Sequence, residues 1–225
     1  MFADREEAGR LLGQAVAERH PVDTVVIALP RGGVPVAVQV ARALNAPLDL
    51  LLVRKIGAPG QPELAVGAVA EGVPPAVVVD ERTLDLTGTP LDYVKREANA
   101  QLEEIERRRK LYLGNSARVP LAGRTVVLVD DGLATGSTVR AALQALRRRG
   151  PARIALAVPV APADALQALR ASVDDVVCLS EPEFFGGVGA HYCDFHQVGD
   201  NEVMALMHDA ARHDPDRAAR RARRA

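Results

Sequence analysis

"VVLVDDGLATGST", residues 126–138, decides how this chain is read. Four apolar residues run into Asp130 and Asp131, and a small, hydroxyl-rich turn follows. The β-branched run reads as a buried strand, and "GSTVRAALQALRRRG" (136–150) has the spacing of an amphipathic helix. The two carboxylates therefore stand where a strand ends and a helix is about to begin. In an open parallel sheet, ligands bind beyond the carboxyl ends of the strands. A helix N-terminus adds free N–H groups and the positive end of a dipole, which together attract an anion. Ala134 and Gly136 are small enough for backbone to close on a phosphate, and Thr135, Ser137 and Thr138 can donate from the rim. Carboxylates beside a phosphate site would repel the ligand unless they bind something else. A sugar with vicinal hydroxyls, with Mg²⁺ nearby, removes that conflict, so the stretch suits a sugar 5-phosphate. No Gly-Lys-Ser/Thr follows, as a Walker loop needs, and there is no G-x-G-x-x-G. An ordinary Asp-Gly turn accounts for the triplet 130–132 but not for the whole pattern.

Strands and helices alternate on either side of this stretch. Residues 4–19 carry helical spacing, and "TVVIAL" (24–29) is a buried strand. "GGVPVAVQVARALN" follows as a helix with Pro35 in its first turn and Asn45 as its stop. "LDLLLV" (48–53) is a second strand, which completes a βαβ unit. After the 126–150 strand and helix come a strand at 152–160, a helix near 162–171 and a strand at 175–179. The pattern predicts an α/β fold: an open, mostly parallel, Rossmann-like sheet flanked by helices on both faces.

Two segments break the rhythm. Residues 54–115 form an insertion, rich in Gly and Pro to about 89, with weak strands at 64–70 and 76–80. A helix then starts at Thr89-Pro90, with Leu91, Val94, Ala98, Leu102, Ile105 and Tyr112 as its apolar stripe. The second break, about 180–200, gathers Phe184, Phe185, Tyr192 and Phe195 into a small C-terminal hood. A single domain over 1–211 is expected, followed by a basic tail at 212–225 whose composition predicts disorder.

Composition bounds the rest. At 225 residues and 48% hydrophobic, the chain buries a sizeable core, and with 3% aromatics that core is built of Ala, Val and Leu. A net charge of −1 argues against a nucleic-acid partner. No apolar run reaches the roughly 18 residues of a membrane span. The N-terminal 20 residues are charged and amphipathic, unlike a signal peptide, and two cysteines do not make a disulfide framework, so a cytoplasmic protein is expected. The oligomeric state, a homodimer included, is left open.

With these residues in place, residues 126–138 resemble the phosphoribosyl pyrophosphate (PRPP) motif of the type I phosphoribosyltransferases, and the likeness extends over most of residues 5–210. It is nearest to predicted bacterial phosphoribosyltransferases whose acceptor is unassigned. The resemblance implies a parallel sheet under a variable hood, and an Mg²⁺-dependent enzyme that binds PRPP, releases pyrophosphate and joins ribose C1 to a small nitrogenous acceptor such as a nucleobase. "LPRGGVPVA" (29–37) resembles the family's pyrophosphate loop. Arg31 would supply charge there, Gly32 and Gly33 close approach, and a cis Pro30–Arg31 peptide would be shared with family members. "VRKIGAPG" (53–60) resembles the start of the flexible catalytic loop, with Arg54 and Lys55 matching an Arg-Lys pair and Ala58 standing where a further lysine belongs. Asp130 and Asp131 would hold the ribose hydroxyls, and any metal only indirectly through them. Ala134, Thr135, Gly136, Ser137 and Thr138 would cradle the 5-phosphate. The 6-oxopurine enzymes carry aspartate where this chain has Ala134, which weakens hypoxanthine and guanine as acceptors.

Phe184, Phe185, Tyr192 and Phe195 offer a base a flat apolar face. His191, Cys193 and His196 raise zinc, but three ligands in one short run lack a partner pair. Two further readings stay open. One is a regulatory PRPP- or nucleotide-binding protein of the same fold with little or no catalysis. The other is hydrolysis or phosphorolysis at C1 with no base acceptor.

Overall fold

The computed structural model describes residues 1–19 and 23–216. Its frame is a five-stranded, wholly parallel sheet in the order β2-β1-β6-β7-β8. The strands are β1 (Thr24–Ala28), β2 (Leu48–Leu50), β6 (Thr125–Val129), β7 (Arg153–Val160) and β8 (Asp175–Ser180). Parallel strands covered on both faces need no alternation of polar residues, and β1 is buried throughout. Its residues still sort by parity. Val26 and Ala28 join a core with Leu12 and Val16 of α1 (Arg5–Ala17), with α2 (Gly33–Leu44) and with Val203 and Met207 of α7 (Asp200–Arg212). Val25 and Ile27 face the opposite core, built on α5 (Ser137–Arg147) and α6 (Ala163–Arg170). Asn45 ends α2 in the left-handed conformation at φ 45°, as its position as a stop requires.

The insertion is a body of its own. β3 (Val53–Ala58), β4 (Gln61–Ala70) and β5 (Ala76–Val79) form an antiparallel sheet, followed by α3 (Glu81–Thr87) and the long α4 (Leu91–Leu113). This corrects three expectations. The strand expected over 48–53 is two strands in two sheets, with Leu51 and Leu52 crossing between them. The segment expected to open a flexible loop is instead the strand β3, paired with β4 from Val53↔Ala70 onward. Leu91, assigned to the apolar stripe of α4, is 59% exposed, whereas Val94, Ala98, Ile105 and Tyr112 are buried.

Buried charge fastens the insertion to the sheet. The Glu71 carboxylate, 4% exposed, accepts from Arg109 of α4 at 3.1 Å, from Arg118 at 2.6 Å and from the Leu52 amide at 3.0 Å. Asp49 of β2 accepts from the Val119 amide at 2.9 Å. At the other end of the chain, α7 takes in Arg212, so the helical domain runs past residue 211. Asp216, assigned to the tail, accepts from Arg124 at 2.7 Å, and the remainder of the expected tail, 217–225, lies outside the described residues. No helix among the described residues is long and apolar enough to cross a membrane.

Candidate active site

Because β1 and β6 are neighbours with Ala28 opposite Val129, the loops that leave them emerge side by side. Leu29 N–H donates to the Val129 carbonyl at 3.0 Å, and the cis Pro30–Arg31 peptide then turns the chain into α2. Gly32 and Gly33 are needed here for space. Gly32 has φ −59° and ψ −33°, a backbone any residue adopts. A Cβ on it would lie 2.0 Å from Asp131 Oδ2, and one on Gly33 would lie 2.9 Å from Asp130 Cα and 3.0 Å from the Val129 carbonyl oxygen. The pyrophosphate-loop segment and the two aspartates are thus pressed together by the absence of two side chains.

The carboxylates are held in a high-energy setting. Burial, and then the charge of Asp131 beside it, pushes Asp130 well above the usual carboxylate range. Burial raises Asp131 as well, against the opposing pull of a hydrogen-bonded guanidinium. That guanidinium is Arg5, from the first turn of α1. Its Nε donates to Asp131 Oδ2 at 2.8 Å and its Nη1 to the His196 carbonyl at 2.8 Å. Tyr192 Oη donates to the Asp131 carbonyl at 2.6 Å. Burial, and then the nearby Asp131 charge, raises the Tyr192 hydroxyl far above its ordinary value. Arg31 is paired with Asp200 at 3.3 Å, at the start of α7, and Tyr112 of α4 donates to the same carboxylate at 2.6 Å. Burial, and then this bond, pushes Tyr112 up to about 12.

The turn after β6 leads directly into α5. Gly136, at φ 75°, caps α5 without a side-chain hydrogen bond, and the helix starts at Ser137. Among the described residues, the amide N–H groups of residues 134–138 donate to no protein acceptor. Thr135 and Ser137 hydroxyls lie 3.4 Å apart.

A cleft of about 340 Å³ opens between the start of α2, Asp131 and the hood, lined by Arg5, Arg31, Gly32, Asp131, Phe195, His196, Gln197 and Val198, and Ala134, Thr135, Gly136, Ser137 and Thr138 are not part of its lining. The structure therefore brings together Arg31, Gly32 and Asp131, with Gly33 and Asp130 directly behind them. It does not bring Arg54 or Lys55 to the cleft wall. Arg54 Nε donates to Gln101 of α4 at 2.9 Å, and Lys55 is exposed on β3. The hood aromatics divide. Tyr192 is 5% exposed, in a cluster with Phe2 and Val160, so its ring is core and offers a ligand no open face. Phe185 stacks on His191 at 5.6 Å, and Phe184 is 87% exposed and absent from the cleft lining. Phe195 alone of the four lines the cleft. His191 bonds the Phe185 carbonyl at 2.8 Å, and His196 sits between Asp194 and Glu202. The hydrogen bond with Asp194, then that with Glu202, raises the His196 imidazole above its ordinary value.

Sequence reasoning missed Arg5, Asp200 and the N-terminal part of the hood. Phe2 N–H donates to the His191 carbonyl at 2.8 Å, and the amides of Cys193 and Asp194 donate back to residues 2 and 3. One signal pointed to Arg5. It lies three and seven residues before Ala8 and Leu12, so it is a charge on the buried stripe of α1.

The family described as phosphoribosyl transferase domain matches residues 5–196 of this chain. A protein of Mycobacterium tuberculosis (strain H37Rv), provisionally named a phosphoribosyl transferase, is 46% identical over 215 residues, 94% of this chain and 47% of that protein. A bifunctional protein PyrR of Chloroflexus aurantiacus is 38% identical over 96 residues, 41% of this chain and 53% of that protein. The chain thus spans about half the length of the curated relatives it matches. The crystal structure of TT1426 from Thermus thermophilus superposes with a TM-score of 0.78 at 44% identity, covering 93% of this chain and 98% of that one.

Proposed function

The chain belongs to the phosphoribosyl transferase family, and we propose that it transfers the phosphoribosyl group of PRPP to a small nitrogenous acceptor, releasing pyrophosphate. One observation carries this reading. Two adjacent carboxylates at the end of β6 lie between a helix start pressed against them by Gly32 and Gly33 and a turn whose amides have no protein acceptor. Hydroxyls of a ribose suit the carboxylates, and a 5-phosphate suits the turn. In the reaction the C1–O bond to pyrophosphate breaks, the acceptor's C1–N bond forms, and the acceptor's proton leaves for solvent. Positive charge builds on the ribose in between, so fixed negative charge nearby is favourable. Asp131, whose carboxylate is paired with Arg5, would supply it, and both carboxyl groups would orient the ring. Arg31, paired with Asp200 at 3.3 Å and lining the cleft, would supply positive charge to the departing pyrophosphate. Phe195, His196, Gln197 and Val198 form the wall available to the acceptor.

The donor set suits Mg²⁺ held indirectly. Asp130 and Asp131 offer hard oxygens, and no cluster of three His, Cys, Asp or Glu exists among the described residues. Mg²⁺ characteristically keeps several waters and binds through one or two carboxylates together with substrate phosphates. When bound, it would neutralise charge on the leaving pyrophosphate.

A second reading, PRPP binding with little turnover, is favoured by Arg54 and Lys55 lying off the cleft wall. Incubation with PRPP, Mg²⁺ and a panel of nucleobases separates the two. Acceptor-dependent pyrophosphate release supports transfer, and binding without release supports the second reading. Absence of PRPP binding refutes both.

A further inference from the structure

The least expected member of the site is Arg5, because it comes from the opposite end of the chain to the hood it touches. Its side chain is 7% exposed. A buried guanidinium is retained only where its charge and donors are met. Here Nε meets Asp131 Oδ2, Nη1 meets the His196 carbonyl, and the guanidinium carbon lies 3.8 Å from the centre of the Phe195 ring. These contacts reach both walls of the cleft, the carboxylate side and the hood side.

We propose that Arg5 is the positioning residue of the site: it fixes the Asp131 carboxylate for the ligand's diol and joins that carboxylate to the hood. The inference rests on the function proposed above. A carboxylate offers about four lone-pair sites, so a donor on Oδ2 leaves acceptor capacity for a hydroxyl and restricts the rotation of the group. The same contact accounts for two buried carboxylates side by side, since Arg5 offsets part of the repulsion between them. Nothing else described supplies Asp131 with a cation. The neighbouring Arg31 is committed to Asp200.

The N-terminal segment is held where this role needs it. Asp4 caps α1 by accepting from the Glu7 amide at 2.7 Å, which sets the first turn. Residues 2 and 3 pair with 191–194 through three backbone hydrogen bonds. A shift of the hood toward an acceptor would therefore be felt at Asp131 through Arg5.

Calorimetric titration with ribose 5-phosphate and, separately, with inorganic phosphate tests this. Arg5→Met should weaken ribose 5-phosphate at least about tenfold, the scale of one charge-assisted hydrogen bond, and leave phosphate within about twofold. Arg5→Lys keeps the charge without the fork and should fall between Arg5→Met and the parent. In an Asp131→Asn background, Arg5→Met should add less than about twofold. Equal losses for both ligands, no loss for either, or additive losses in the double variant would overturn the proposal. Should Arg5→Met fail to fold, Arg5→Lys is read alone and in the same double variant, and parent-like affinity overturns the role. If the parent binds phosphate but not ribose 5-phosphate, the proposed function falls and takes this role with it. If the parent binds both and the Arg5 variants match it, only this role falls.

Discussion

Gly32→Ala adds one methyl group, at a place where the backbone would accept alanine without strain. At φ −59° and ψ −33° the substitution should even gain about 0.4–1 kcal/mol from the lost freedom of the unfolded chain. The new Cβ would stand 2.0 Å from Asp131 Oδ2 and 2.7 Å from its Cγ. To reach ordinary contact the carboxylate must retreat by more than about 1 Å, which breaks the 2.8 Å bond from Arg5. A lost charge-assisted hydrogen bond costs about 1.5–3 kcal/mol, and overpacking adds about 1 kcal/mol or more. Net of the backbone gain, a destabilisation of about 1.5–3.5 kcal/mol is expected, or a fall in Tm of roughly 3–14 °C for a chain of this size. Scanning calorimetry gives that number, and titration with PRPP should show weaker binding in the same variant. The deciding comparison is Gly32→Ala in an Asp131→Ala background, where the obstructing atoms are gone. If Gly32→Ala costs as much there as in the parent, the clash with Asp131 is not the cause and the reasoning is wrong.

Other outcomes follow from the same geometry. Asp130→Asn with Asp131→Asn should abolish PRPP binding in a folded protein, and unchanged affinity by calorimetry would remove both from the site. Asp130 has its carboxyl pKa raised by folding, so its contribution to stability is present below about pH 3.8 and is lost as pH rises through the raised value. Asp130→Asn should therefore raise Tm at pH 7 by at least about 2–4 °C, the equivalent of about 1 kcal/mol, and the gain should shrink on acidification. A variant less stable than the parent at pH 7 would count against the buried charge. His196, raised by Asp194 and then Glu202, should titrate above its ordinary 6.5 by NMR, and Glu202→Gln should bring it down. Any stability it lends is present below pH 6.5 and fades as pH climbs through the raised value. Glu71→Ala leaves Arg109 and Arg118 facing a buried void and should cost about 3 kcal/mol or more, and a Tm within about 2 °C of the parent would contradict the anchoring role.

The parallel sheet was legible because its strands are nearly pure β-branched runs separated by helical spacing, as in 24–29 and 126–129. The strand at 48–53 was not divisible by pattern, since Leu50 to Leu52 are uniformly apolar and the break between sheets is set by Glu71 binding the Leu52 amide, 19 residues away. The helix start at Ser137 was legible because Gly and hydroxyl residues are common at helix N-termini. Gly136 has φ 75°, and a Cβ on it would lie 3.3 Å from Leu169 Cδ1. Gly136→Val would strain the backbone as well as fill the cradle, so any lost binding must be read beside its Tm. The aromatic face was misjudged at Tyr192 because composition does not tell a ring that packs on Phe2 from one that faces a ligand. Arg5 and Asp200 were hidden for a simpler reason: their partners lie 126 and 169 residues away in the chain.

That separation governs when the molecule becomes competent during its own synthesis. Arg5 leaves the ribosome 191 residues ahead of His196, whose carbonyl it binds. At about 5–20 residues per second, roughly 10–40 s pass between the two. Over that interval Arg5 is a charge on a helix stripe with no partner in the hood, and the strands around Asp130 and Asp131 can already pair. The ligand cleft is thus completed only after every strand of the parallel sheet has been made.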